Sequence, residues 1–201
     1  MYSSFTFPEL KRRFGLVQAD AHLFAGQAIA PAEATQMLLN ELAEGRQMPI
    51  YSEKAKSEFL IGPIVKELKR RNPHLSIFSG YSFNVDRKNK LTGAPDFLIS
   101  NKPGKIDIEA PVFCIMESKN KTPDEGYAQC AAEMYAAKIF NQQTNEAPTT
   151  IYGAVTNAFE WVFMKLEDNT IFIDNERYFI NELPRLLGVL QHVIDVAGKP
   201  I

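Results

Sequence analysis

An uninterrupted apolar run near the middle of the chain constrains the fold more than any other segment. It covers residues 111–116 (PVFCIM) and leads, without a turn residue, into Glu117, Ser118 and Lys119. Both alternating sets of side chains in the run are apolar, which is the pattern of a central strand covered on two faces. The sequence therefore predicts a sheet with helices on both faces and with this strand in its interior.

The segments on either side of this strand predict an α/β fold with a mixed sheet. Residues 52–71 have apolar side chains at helical spacing, with Ser52 as the candidate N-cap and a kink expected at Pro63. Two strands are predicted before the central strand; a helix, three antiparallel strands and an amphipathic helix are predicted after it. In chain order, these segments are residues 75–85, 95–100, 124–143, 150–156, 161–167, 170–173 and 182–198. A turn at residues 101–105 is expected to separate the second and third strands.

Residues 1–50 give weaker signals than the rest of the chain. Leucine and methionine side chains at helical spacing predict one helix within residues 34–45, and residues 8–16 predict a shorter one. We therefore expect an N-terminal, mainly helical extension over residues 1–50 and a separate domain over residues 51–201.

Composition argues against several classes of protein. A net charge of −2 is unlike that of a protein that coats nucleic acid non-specifically, although it leaves room for a local basic face. No apolar run approaches the roughly 20 residues of a membrane span, and residues 1–15 have no apolar signal core, so we expect a cytoplasmic protein without membrane contact. Cys114 and Cys130 are expected to be small buried side chains rather than a disulfide.

Two predicted strands place charged side chains where they can meet. Residues two apart in a strand point to the same face, so Glu117 and Lys119 share one. Asp96 begins the preceding strand, shortly after Gly93, where a close approach of the backbone is expected. If the two strands are neighbours, Asp96 and Glu117 converge. Together with a backbone carbonyl such as that of Ser118, they would form an all-oxygen site suited to Mg²⁺.

The same residues form a recognisable motif. APDF at residues 94–97 is followed by ESK at residues 117–119, and this pattern resembles the PD-(D/E)xK motif of the restriction-endonuclease-like nuclease superfamily. Many members have alanine or another small residue where this chain has Ser118. The serine is a mild departure that leaves the aspartate, glutamate and lysine of the motif intact.

Two flanking residues extend the resemblance. The first core helix of the family often has a glutamate near the metal site, where this chain has Glu58. The helix after the motif often has a glutamine, which matches Gln129. The similarity covers residues 51–167 and, more weakly, the last helix.

The resemblance implies a restriction-endonuclease-like core, with its elements in the order αβββαβ, and a nuclease activity. Such an enzyme hydrolyses phosphodiester bonds with Mg²⁺ or Mn²⁺; DNA is favoured over RNA as the substrate, and a homodimer is compatible with the family. Lys119 would position the attacking water or stabilise negative charge on the phosphate. The implied catalytic residues are Asp96, Glu117, Lys119, Glu58 and Gln129, of which Asp96, Glu117 and Glu58 would bind the metal together with Ser118.

Each candidate residue also has an ordinary structural interpretation. Glu117 and Lys119 could form a surface ion pair at a strand end, and Asp96 could cap the turn after TGAP. Glu58 and Gln129 could be exposed polar residues of their helices. The alternative function is that of a catalytically inactive member of the same fold, which serves as a nucleic-acid-binding or protein-interaction module. The near-neutral charge of the chain favours this alternative.

Overall fold

A mixed sheet forms the centre of the fold. In the computed structural model, which describes residues 1–102, 106–146 and 150–198, eight strands form this one sheet. The strands are β1 (Val17–Ala21), β2 (Ser76–Ser79), β3 (Phe97–Ser100), β4 (Val112–Ser118), β5 (Thr150–Thr156), β6 (Glu160–Glu167), β7 (Thr170–Asp174) and β8 (Tyr178–Phe179). Their order across the sheet is β1-β7-β6-β5-β4-β3-β2, and β8 pairs with β6.

Helices lie on both faces of this sheet, as predicted for an α/β fold. They are α1 (Phe7–Phe14), α2 (Gln36–Gly45), α3 (Glu53–Lys56), α4 (Gly62–Arg71), α5 (Tyr127–Gln143) and α6 (Leu183–Ala197). Among the described residues, no helix has the length and apolar character needed to cross a membrane.

The helix predicted before the first sheet strands is present but irregular. A π-helical turn, Ser57–Ile61, joins α3 to α4, so that the three segments run continuously. Ser52 caps the start of the helix, since its Oγ accepts a hydrogen bond from Ala55 N at 3.1 Å. The irregularity expected at Pro63 is found in the π-helical turn just before it, since a proline inside a continuous helix removes one backbone hydrogen bond.

The prediction of one strand over residues 75–85 is wrong for the second half of that segment. β2 ends at Ser79, and Gly80 follows with a φ of +66°, a left-handed conformation that interrupts an extended chain. The loop after it returns to β3, and Gly80 N donates to Asp96 O at 3.1 Å. The turn predicted at residues 101–105 lies partly outside the described residues.

β4 is the buried central strand that the apolar run predicts. All of its residues are buried. Met116 packs in one hydrophobic cluster with Ile64 of α4 and Leu190 of α6. Ile115, which points to the opposite face, packs in a second cluster with Ala131 of α5. Because both faces are covered, both alternating sets of side chains from Val112 to Met116 are apolar, which explains the uninterrupted run.

Helix α5 packs unusually close to the sheet. A Cβ atom on Gly153 of β5 would lie 2.6 Å from Met134 Sδ and 2.9 Å from Cys130 Sγ, distances that real side chains do not tolerate. Glycine at this position therefore allows the close approach of helix and strand. As predicted, Cys114 and Cys130 are buried and free. The close packing brings polar side chains of α5 within reach of the end of β4.

Residues 1–50 contribute to the sheet and to both hydrophobic clusters. β1, which was not predicted, pairs in parallel with β7. Leu38 and Leu42 of α2 belong to the cluster beneath α4 and α6. Tyr2 belongs to the cluster beneath α5. The division of the chain at residue 50 stays a prediction, although the extension is not purely helical.

Tyr2 anchors the start of the chain to the loop before β3. Its N–H donates to Thr92 O at 2.9 Å, and its hydroxyl donates to Phe83 O at 2.6 Å. The ring covers Gly93 so closely that a Cβ there would lie 2.7 Å from Tyr2 Cδ2, which confirms the close approach expected at this glycine. The anchor fixes the loop that leads into Asp96.

This contact predicts a measurable loss of stability in Tyr2→Phe. The substitution leaves the buried Phe83 carbonyl without its donor, which costs about 1–2 kcal/mol of unfolding free energy and lowers Tm by about 4 °C. Tyr51→Phe is the matched control, because the Tyr51 side chain is 88% exposed and its substitution should leave Tm unchanged. Thermal unfolding followed by circular dichroism measures both, and equal Tm values for the two variants would contradict the anchor.

Candidate active site

The antiparallel pairing of β3 and β4 brings two acidic residues to the same end of the sheet. Phe97 lies opposite Met116, so Asp96, just before β3, comes beside Glu117 near the end of β4. The Asp96 carboxylate is held there, because its Oδ2 accepts a hydrogen bond from Ser118 N at 2.7 Å. The expectation that these two strands are neighbours is confirmed.

Lys119 pairs with Glu117 in a buried position. Its Nζ lies 2.6 Å from Glu117 Oε1, which confirms that the two side chains share a face. The Glu117 side chain is 4% exposed and the Lys119 side chain 15% exposed. The interpretation as a surface ion pair is therefore wrong. A buried pair has lost the hydration of two charges, a cost that surface pairs do not bear.

Gly126 leaves the space through which the Lys119 side chain reaches Glu117. A Cβ atom on Gly126, just before α5, would lie 3.0 Å from Lys119 Cγ and 2.6 Å from Val155 Cγ1. Any larger residue would displace the lysine or the β5 side chain beneath it. The backbone of Lys119 is fixed as well, since its N–H donates to Thr156 O at 2.8 Å.

Gln129 connects the acid and the lysine through a single amide. Its Nε2 donates to Glu117 Oε1 at 2.5 Å, and its Oε1 accepts from Lys119 Nζ at 3.1 Å. The same Nε2 lies 3.1 Å from Glu133 Oε1, one helical turn further along α5. Gln129 is thus brought to the site, as predicted, and its amide is oriented by partners on both sides.

Glu133 is a member of the cluster that sequence reasoning missed. Its side chain is fully buried, and burial together with the charge of Glu117 raises its pKa well above the usual range of a carboxyl group. Its Oε2 has no hydrogen-bond partner within the described part of the chain. The available signal was the single acidic residue in the apolar stretch CAAEM, four positions after Gln129.

The pKa values of both Glu117 and Lys119 lie above their usual ranges. Burial and the nearby charge of Asp96 raise the pKa of Glu117 to about 7, against the opposing attraction of Lys119. Burial opposes the charge on Lys119, but the Glu117 carboxylate outweighs it and raises the lysine pKa above its usual value. At neutral pH, Lys119 is therefore charged, while Glu117 is balanced between its two forms.

The structure does not bring Glu58 to this cluster. Its side chain is 55% exposed, and its carboxylate lies 3.8 Å from Lys54 Nζ. Glu53, five positions earlier on the same continuous helix, instead acts electrostatically on both Glu117 and Lys119. Residues five apart on a helix face different directions, so only one of the two acids can point to the site.

The cluster offers two carboxylates, those of Asp96 and Glu117, as ligands for a divalent cation. Within the described ranges, no group of three or more His, Cys, Asp or Glu side chains is arranged to hold a metal ion. Mg²⁺, however, usually binds one or two carboxylates and keeps several waters. Glu117 Oε2 is buried without a hydrogen-bond partner among the described residues, which leaves a carboxylate oxygen available beside Asp96. This pair of acids fits a hard cation.

Ser118 contributes to the site through its backbone. Its N–H binds Asp96, and its Oγ is buried with no partner within the described residues. The residue therefore positions one of the two acids, whether or not its carbonyl also reaches a cation.

A scan against models of known protein families finds no match to this chain, and a search of curated proteins finds no similar sequence. The resemblance to PD-(D/E)xK nucleases therefore depends on the motif residues themselves.

The raised pKa of Glu117 predicts that its charged form destabilises the fold. Between about pH 4.3 and 7, this carboxyl group keeps its proton in the folded protein but has lost it in the unfolded chain. The free energy of unfolding therefore falls as the pH rises through this range. Glu117→Gln mimics the protonated form and should raise Tm by about 5 °C at pH 8. The difference should vanish as the pH is lowered to 4.

The matched control for this prediction is Glu167→Gln, which removes a half-exposed carboxylate on β6. Its Tm should follow that of the wild type at both pH values. A Glu117→Gln variant that is less stable than the wild type at pH 8 would show that the ion pair with Lys119 outweighs the cost of burial.

Proposed function

We propose that this protein is a metal-dependent nuclease that hydrolyses phosphodiester bonds, with DNA as the favoured substrate, on a restriction-endonuclease-like core. One observation carries the proposal. Asp96 and Glu117, from adjoining strands, meet at one end of the sheet with the Lys119 ammonium 2.6 Å from Glu117. Two acids and one amine around a common point are the groups that cation-assisted hydrolysis of a phosphodiester requires.

Asp96 and Glu117 would hold the cation. When bound, a divalent cation polarises the scissile phosphate and acidifies a water molecule. The unpartnered Oε2 of Glu117 supports this assignment, because a buried carboxylate oxygen without a donor is otherwise costly. Glu53 is the helix acid whose charge reaches the two motif residues, and it takes the assisting role expected of Glu58.

Lys119 supplies the positive charge of the site. Because its pKa is raised, it stays protonated at neutral pH and can stabilise the negative charge that develops on the phosphate. Hydrogen bonds to Glu117 and Gln129 fix the position of the ammonium group. The space left by Gly126 accommodates the aliphatic part of the Lys119 side chain. A preorganised donor needs little rearrangement during the reaction, which is where such groups gain their effect.

Gln129 and Glu133 act behind the motif as positioning residues. Burial and the charge of Glu117 raise the pKa of Glu133, which disfavours an additional negative charge next to Asp96 and Glu117. It accepts a hydrogen bond from Gln129, whose amide in turn holds Glu117 Oε1. This chain of contacts fixes which Glu117 oxygen faces Lys119 and which remains available.

A catalytically inactive module of the same fold is the second candidate function. The observation in its favour is that Glu117 and Lys119 already satisfy each other, while the described residues contain no group of three metal-binding side chains. In such a module the pair would serve structure and the surface around it would bind nucleic acid or protein.

Cleavage assays on the purified protein separate the two candidates. We predict hydrolysis of single-stranded, duplex or branched DNA that depends on added Mg²⁺ or Mn²⁺. Lys119→Met and Asp96→Asn should each lower the rate by about 100-fold or more while the circular dichroism spectrum is unchanged. Lys54→Met is the matched control, since the Lys54 side chain is 83% exposed and should not affect the rate.

Two results would contradict the proposal. Full activity in either site variant would remove that residue from the mechanism. Binding of DNA without cleavage under every cation condition would favour the inactive module.

A further inference from the structure

The turn between β5 and β6 presents an exposed aromatic ring. The Phe159 side chain is 41% exposed, although the neighbouring strands are almost fully buried. The backbone of the turn is fixed by hydrogen bonds. Asn157 Oδ1 accepts from Phe159 N at 3.1 Å and from Glu160 N at 2.9 Å, and Ala158 N donates to Thr156 Oγ1 at 2.9 Å. The ring is therefore held outward by a defined turn rather than by a loose loop.

This ring lies beside the candidate active site. Lys56 Nζ is 5.9 Å from the centre of the Phe159 ring. The same Nζ donates to Asn120 O at 2.5 Å, and Asn120 directly follows Lys119. The contacts of Lys56 thus connect the exposed ring to the end of the motif strand.

A second contact connects the turn to the segment after the motif. Asn157 Nδ2 donates to Lys121 O at 2.8 Å, and the Lys121 side chain is exposed. The Lys56 ammonium therefore lies next to the Phe159 ring, and Lys121 is held against the same turn through its backbone carbonyl.

An exposed ring among ammonium groups is suited to one kind of ligand. Proteins that bind single-stranded nucleic acid combine aromatic side chains, on which bases stack, with cations that contact the phosphates. A base inside a duplex is already stacked on both sides, so its face is not available to a protein ring. The neighbouring lysines favour a polyanion over an apolar protein surface as the occupant of this site.

We propose that Phe159 stacks on an unpaired nucleobase next to the scissile phosphate, so that the substrate class is single-stranded nucleic acid or the unpaired part of a branched one. Lys56 and Lys121 contact the flanking phosphates. This inference rests on the proposed nuclease function, since it concerns the same site.

Binding without cleavage tests the inference directly. A fluorescent thymidine oligomer of about 16 nucleotides, a duplex of the same length and a uridine oligomer are titrated with protein in EDTA, and binding is followed by anisotropy. Phe159→Leu keeps the apolar character and removes the π face, and it should weaken binding of the thymidine oligomer about tenfold. Phe159→Trp should retain binding, and duplex binding should change by less than about twofold in both variants.

The chain offers a matched control in Phe172→Leu. Lys165 Nζ lies 5.2 Å from the Phe172 ring, which makes a similar ring and ammonium pair on β6 and β7, away from the strand ends that form the site. This variant should bind the thymidine oligomer as the wild type does. A comparable loss of affinity in this control would overturn the inference, and so would unchanged affinity in Phe159→Leu or lack of binding by the wild type.

The outcomes distinguish this inference from the proposed function. Cation-dependent cleavage of DNA, together with equal binding by the wild type and Phe159→Leu, overturns the stacking role and leaves the nuclease standing. Binding that depends on Phe159, without cleavage under any cation, supports the stacking role and overturns the nuclease. Comparison of the thymidine and uridine oligomers shows whether the sugar matters, and binding of either polymer through Phe159 supports the proposal.

Discussion

The burial of one carboxylate at the end of a fully covered strand is the constraint on which the site depends. Glu117 sits where β4 leaves a core that is apolar on both faces, and a charge in such a place is costly. Lys119 and Gln129 compensate for only part of that cost, because the pKa of Glu117 still rises to about 7. The cost is concentrated at the end of an apolar strand, which is a common property of functional sites.

The elements around Glu117 are arranged so that other groups can reach it. The antiparallel neighbour β3 delivers Asp96, and the following helix α5 delivers Gln129 and Glu133. Two glycines make this geometry accessible: Gly153 lets α5 approach the sheet, and Gly126 leaves room for the stem of Lys119. The positions of the charged side chains therefore depend on two glycines, which have no side chain of their own.

The sequence predicted those parts of the site that follow from local rules. Alternation within a strand placed Glu117 and Lys119 on one face, and the hypothesis that the two predicted strands are neighbours placed Asp96 beside Glu117. Strand β1 was missed although VQADA alternates apolar and polar residues, because alanine and aspartate are uncommon in strands and the partner strand β7 lies far away along the chain. Whether Glu53 or Glu58 lies nearer to the site depends on the rotation of an irregular helix, which local patterns do not give. The burial of Glu133 depends on which face of the alanine-rich helix α5 packs against the sheet.

Calorimetric titration with Mg²⁺ or Mn²⁺ is the most direct test of the central claim, that Asp96 and Glu117 form one cation site. We expect the wild type to bind one cation per chain, and Asp96→Asn to bind it at least about tenfold more weakly with an unchanged fold. Equal affinity of the two proteins, or no binding by the wild type, would contradict it.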